Sequence, residues 1–114
     1  MRRCMAIAGG FAVSAAVALA PPAHADQYEF ISFLDSQGVS YGSIIDMIDI
    51  GKAVCHDLRS GDAPPVVLGR LSGTGFAPAE ASLILVSAVS HMCVDAKAGV
   101  VGWAYEQGYT GPVI

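Results

Sequence analysis

Cys55 and Cys93 follow an N-terminal stretch, ending at Ala25, that reads as an export signal, and that combination governs what the rest of the chain can become. Arg2 and Arg3 form a positive start, Met5–Ala20 is an uncharged apolar run, and Pro21-Pro22 break any helix before Ala23-His24-Ala25. The three parts together predict a secretory signal peptide cut between Ala25 and Asp26. The run falls short of the roughly 20 apolar residues of a membrane anchor, and no later stretch approaches that length. A twin-arginine signal has only the two arginines in its favour. Cys4 precedes the apolar run instead of standing at the cut, so it does not fit a lipidated terminus and leaves with the signal.

Two cysteines then remain in a compartment where disulfides form and persist. Closing the loop between them is worth about 4 kcal/mol in the chain-entropy account, a large share of the roughly 5–15 kcal/mol that holds a small domain together. A Cys55–Cys93 bond is therefore expected. The competing reading is zinc, because Cys55-His56 and His91-x-Cys93 offer two cysteines and two histidines. On a helix, residues one or two apart point away from each other, whereas metal sites favour spacings of three or four. No metal and no cofactor is expected, and the histidines are read as partly exposed flanks of the disulfide.

The predicted organisation is a signal over 1–25, a disulfide-linked helical domain over 26–93, and a tail over 94–114 with a possible fifth helix. The mature part, Asp26–Ile114, carries four basic and ten acidic side chains, a net charge of −6. Such a surface weighs against DNA, RNA or anionic lipid as a partner held by charge. Over the whole chain, 54% apolar and 14% charged residues exclude a disordered polymer.

Helical spacing recurs throughout. Phe30, Phe33, Leu34 and Gln37 follow i, i+3, i+4, i+7, with Asp26 as a cap and Gly38 as the terminator. Ile44, Ile48, Gly51, Cys55 and Leu58 form the next stripe, capped by Ser40 or Ser43 and ended by Gly61; Gly51 permits close approach of a neighbouring helix. Asp62-Ala63-Pro64-Pro65, with Asp62 as the cap, opens a short third helix through Val66, Val67, Leu68 and Leu71, closed at Gly73-Thr74-Gly75. The fourth starts near Pro78 and places Ala81, Leu85, Ala88 and Met92 on one face. Leu83, Ile84, Val86 and Val89 make it apolar nearly all round, the mark of a central helix. Asp95 is placed to cap a fifth helix through Val100, Val101, Trp103, Ala104 and Tyr105, ended by Gly108, with irregular chain beyond. No period-2 alternation is sustained, so the fold class is all-α, four to five short helices with one disulfide.

Phe30-x₂-Phe33-Leu34 with Gly38, then Ile50-Gly51-Lys52-Ala53-Val54-Cys55 with Leu58 and Gly61, then Ala88-Val89-Ser90-His91-Met92-Cys93 resemble the small secreted mycobacterial and actinobacterial proteins that share the domain of unknown function numbered 732. The resemblance spans about Asp26 to Cys93. It implies an exported, disulfide-linked helical domain and no activity. Val94 stands where that family usually has proline, so the fourth helix either runs past Cys93 or bends into a fifth.

Nothing in the chain assembles a catalytic constellation. No serine sits in G-x-S-x-G, and there is no phosphate loop, calcium loop or dinucleotide fingerprint. The sharpest enzymatic reading pairs His56 or His91 with Asp57 or Asp95 through the disulfide; Asp46 and Asp49 are a weaker cation pair. Trp103, Tyr105 and Tyr109 are candidate partner-binding aromatics. The expected function is a non-enzymatic interaction or binding module of the cell envelope or extracellular space, its partner an envelope or extracellular protein. The alternative is a carrier of a small apolar ligand or lipid, held between the second and fourth helices by Ile44, Ile48, Leu85 and Met92; an enzyme is third. An apolar cavity of roughly 300 Å³ or more favours the carrier.

Overall fold

A computed structural model describes residues 23–110, with the side chains of 23–26 outside the description. The expected export signal over 1–25 thus lies outside the described residues, apart from the backbone of its last three. Among the described residues five α-helices follow one another: α1 (Ala23–Ser36), α2 (Ile44–Arg59), α3 (Pro64–Gly73), α4 (Pro78–His91) and α5 (Lys97–Glu106), with a 3₁₀ turn, Val94–Ala96, before the last. No strand occurs among the described residues. The fold is all-α, as the periodicity predicts.

α4 is the hub. It packs against each of the other four helices and buries Ala81, Ile84, Leu85, Ser87, Ala88 and Val89. A short helix that is apolar on every side can satisfy itself only in the middle of a bundle. The Ser87 hydroxyl is fully buried and donates to the Phe30 carbonyl at 3.3 Å, which ties α4 to α1 without leaving a polar group unpaired.

Where α2 crosses this pair, Gly51 is the contact. A Cβ at that position would lie 2.7 Å from Met92 Sδ and 2.9 Å from Phe30 Cζ, inside normal contact distance. The backbones of α1, α2 and α4 come this close only because Gly51 has no side chain. Beside it, Cys55 and Cys93 are joined with their Cα atoms 5.7 Å apart. A second link runs parallel: Arg59, one turn after Cys55, donates from Nε and Nη2 to the two oxygens of Asp95 at 2.9 and 2.7 Å.

Several expected details differ. The buried centre of α2 is Met47, Gly51, Val54 and Cys55, while Ile44 is 51% exposed and Ile48 half-buried. Periodicity locates an apolar stripe only to within a residue on either side, and the seat of α1 and α4 over Gly51 chooses Met47 and Val54. On α3, Val67 and Leu71 are buried but Val66 is exposed.

None of the three aspartates named as caps acts as one. Asp26 falls inside α1, which already begins at Ala23. Asp62 yields the cap of α3 to Ala63 and accepts from Arg70 Nη1 at 2.6 Å. Pro64 and Pro65 have no N–H, so the first turn has fewer donors to satisfy. Asp95 lies within the 3₁₀ turn, whose own bonds (Ala96 N–H and Lys97 N–H to the Cys93 and Val94 carbonyls) lead straight into α5. Its carboxylate is left for Arg59, a charge-assisted bidentate pair that outweighs a neutral cap. Ser43 does cap α2, accepting from Asp46 N–H at 3.1 Å. At α4 the Glu80 carboxylate accepts from Ala77 N–H at 3.1 Å; alanine has no side-chain acceptor, so the reciprocal half of a capping box is missing.

The glycine terminators hold. Gly38 has φ +75 and Gly108 φ +95, and in each case the next residue's N–H bonds the carbonyl five positions back, Val39 to Leu34 and Tyr109 to Ala104. That is the Schellman ending, which needs the left-handed residue glycine adopts freely. α4 lacks such a glycine; the Met92 and Cys93 N–H groups both bond the Ala88 carbonyl, and Cys93 leaves helical geometry at φ −141, ψ 69. The chain then turns by 113° between α4 and the segment Val94–Glu106.

Candidate functional site

The turn after Cys93 leaves a wedge between the first half of α4 and α5. On α4, Ala79, Ser82, Leu83 and Val86 recur at i, i+3, i+4, i+7, and Val100, Trp103 and Ala104 of α5 with its C-cap Gln107 repeat the same spacing. These two stripes face each other across a groove of about 600 Å³. Leu85, Phe33 of α1, Leu68 of α3 and Tyr109, just past Gly108, also line it. Ser82 and Gln107 are the few polar side chains on its walls, and Ser82 already donates to the Pro78 carbonyl at 3.1 Å.

Of the three aromatics singled out in the sequence, Trp103 and Tyr109 line this groove. Tyr105 does not line it: it is 51% exposed and stacks on Tyr109, ring centroids 6.3 Å apart and planes 18° from parallel. The groove is not the space expected between α2 and α4, where Phe30 and Met92 crowd Gly51. Ile44, placed in that lining, faces solvent. Leu85 is the one residue of that set that reaches an apolar cavity.

The signal that locates the groove residues is present in the sequence. α4 carries two stripes, the apolar Ala81/Ile84/Leu85/Ala88 and the largely apolar Ala79/Ser82/Leu83/Val86, and only the first is fully buried. Leu83, Val86 and Val100 belong to the second stripe and its partner; the sequence reading counts them as apolar helix positions but does not bring them together as a groove.

A second, smaller cavity of about 400 Å³ opens at the other end, beside the disulfide. Lys52, His56 and Arg59 of α2 line it, with Gln27 of α1 and Ser60 at the end of α2. Cys55 and Met92 complete the wall.

The residues named for an enzyme do not converge. Asp57 pairs with Arg70 at 2.8 Å and Asp95 with Arg59 at 2.7 Å. His91 is half-buried, 3.3 Å from Glu29 Oε2 and tilted against Phe33, while His56 is exposed. Hydrogen bonds from Arg59 hold the Asp95 carboxyl below the usual carboxylate range, and the same pairing raises the Arg59 guanidinium. The aspartates that could have served either histidine are thus committed to arginines. Among the described residues, no group of three or more His, Cys, Asp or Glu side chains is arranged to hold a metal ion, and no single helix is long and apolar enough to cross a membrane.

No curated protein and no solved structure matches the chain. Residues 25–95 match the family described as protein of unknown function (DUF732). The matched span runs from the start of the predicted mature chain to the Asp95 that clamps Arg59, taking in both cysteines and Gly51; the chain belongs to the DUF732 family.

Proposed function

We propose that this protein is a small exported, non-enzymatic binding module that holds an apolar ligand of the long-acyl class in the groove between α4 and α5. The observation that carries this reading is the groove itself, about 600 Å³ walled by Leu83, Val86, Val100 and Trp103. Ligand sites fall in the range of roughly 300–1,000 Å³, largely apolar with a few polar groups. Each methylene drawn from water into such a wall contributes about 0.8 kcal/mol. Trp103 and Tyr109 suit a mouth, because each presents an apolar ring and one polar atom. The tripartite N-terminus and the Cys55–Cys93 pair support export.

Trp103 is the only tryptophan in the chain, so its emission reports on the groove directly. Titrating palmitate into the folded protein is expected to shift that emission saturably and to raise the melting temperature. Ala104→Phe, which fills the groove from α5, is expected to abolish the response while the circular-dichroism spectrum stays helical. No emission change and no thermal shift at saturating palmitate would sink this reading.

A protein partner is the second reading, and the exposed Tyr105–Tyr109 stack is what favours it. Capture by residues 26–114 of one specific envelope or secreted protein, lost in Tyr105→Ala, supports it; capture that survives Tyr105→Ala counts against it.

A further inference from the structure

The cavity beside the disulfide has a charge that the rest of the molecule does not. Four lysines and arginines follow Ala25, and two of them, Lys52 and Arg59, border this one pocket. With His56 they recur at i, i+4, i+7 along α2, so their side chains share one face over about 10 Å of helix. The remaining polar lining is Gln27 and Ser60, and no carboxylate lines the pocket among the described residues. Arg59 uses Nε and one hydrogen of Nη2 on Asp95, which fixes the plane of the guanidinium. Three of its five N–H donors stay unspent, both on Nη1 among them. Lys52 and His56 have no side-chain partner among the described residues.

We infer that this pocket is a binding site for a small free oxyanion of the phosphate or sulfate class. The Lys52 ammonium supplies charge, the Arg59 edge supplies directed N–H donors, and His56, Ser60 and Gln27 supply further hydrogen bonds, a donor set matched to a tetrahedral anion whose oxygens are mostly acceptors. The pocket lies in a chain with ten acidic side chains and four basic ones after Ala25, which repels an extended anionic surface while leaving a small ion free to enter. This site shares no lining residue with the groove and stands independently of the apolar ligand.

The test is a titration of inorganic phosphate into uniformly ¹⁵N-labelled protein at constant ionic strength, balanced with chloride and followed by amide shifts. Saturable shifts confined to Gln27, Lys52–Ser60 and Met92 are expected, with sulfate competing. Lys52→Gln is expected to weaken binding up to about fivefold, the scale of one exposed charge pair, and Lys52→Gln with His56→Gln to weaken it further. Lys97→Gln is the control expected to leave it unchanged. Lys52 and His56 are exposed, so the folded spectrum should persist in their variants. Shifts that never saturate, that chloride reproduces, or that saturate with unchanged affinity in the double variant would overturn the site. Co-sedimentation with phosphatidylglycerol vesicles in place of phosphate binding would overturn the choice of a free ion.

Discussion

The two ends of α4 meet opposite fates. At its C-terminal end, Phe30, Gly51, Met92 and the disulfide close so tightly that one extra carbon would collide. At its N-terminal end, an equally apolar surface built from Ala79, Leu83 and Val86 looks onto a groove of about 600 Å³. Composition cannot explain the difference, since both ends are apolar. Cross-linking does. Cys55–Cys93 and Arg59–Asp95 pull α2 onto the end of α4, whereas α5 leaves α4 through the short Val94–Ala96 turn at 113° and touches its other face obliquely. Tethers draw the apolar surface beside them into the core, and a sharp turn without tethers leaves it lining a groove.

The most severe way to break the contrast is to remove the tether. Cys55→Ala with Cys93→Ala is expected to lose about 4 kcal/mol of unfolding free energy, read by urea denaturation. The loss should fall on the closed end, leaving palmitate affinity at the groove unchanged under conditions where the variant is folded.

Next come two adjacent residues of α4, one on each face. Ile84 is fully buried and Leu83 half-buried on the groove wall. Ile84→Ala is expected to cost about 3 kcal/mol and Leu83→Ala about 1 kcal/mol, because a side chain bordering open space leaves no new cavity behind. Equal losses would mean that the groove is as filled as the core. Only Leu83→Ala should weaken the response of Trp103.

Gly51→Ala tests the closed end by overfilling it. Displacing Phe30 and Met92 costs about 1–3 kcal/mol, and alanine's better helix propensity returns up to about 1 kcal/mol. A net loss of about 1 kcal/mol is expected, with the melting temperature as readout.

The smallest effect belongs to the exposed pair. Asp95 has its folded pKa lowered by Arg59, so its contribution is present above the unfolded carboxylate pKa and is lost as pH falls through the folded value. Asp95→Asn should therefore differ slightly from the parent near neutral pH and converge with it in acid. A difference that grows on acidification would contradict the pairing.

Much of this fold is legible in the residues. The five helices follow from stripes such as Phe30/Phe33/Leu34, the endings from Gly38, Gly61 and Gly108, and the bond from the two cysteines that follow the predicted export signal. These are local or near-local matters: spacing along a helix, a left-handed φ, a loop of known length. The aspartate caps are also local, yet Asp62 and Asp95 are misassigned because Arg70 and Arg59 compete for them from positions 8 and 36 residues away. The apolar space is misplaced for the same kind of reason. Ile44, Ile48, Leu85 and Met92 share a pattern, but whether surfaces meet flush or leave a wedge depends on how helices cross.

By itself, then, the amino-acid sequence determined the family, the helical class, the disulfide and the abundance of apolar surface on α4. The tertiary structure alone decided which of α4's two stripes is sealed and that Trp103 and Tyr109 close over the other. It also brought Lys52, His56 and Arg59 of α2 to the rim of a pocket with Gln27 of α1. Periodicity records which side of a helix prefers to leave water. The angle at which the next helix arrives, here set by Val94–Ala96 and the disulfide before it, decides whether enough protein reaches that side to cover it.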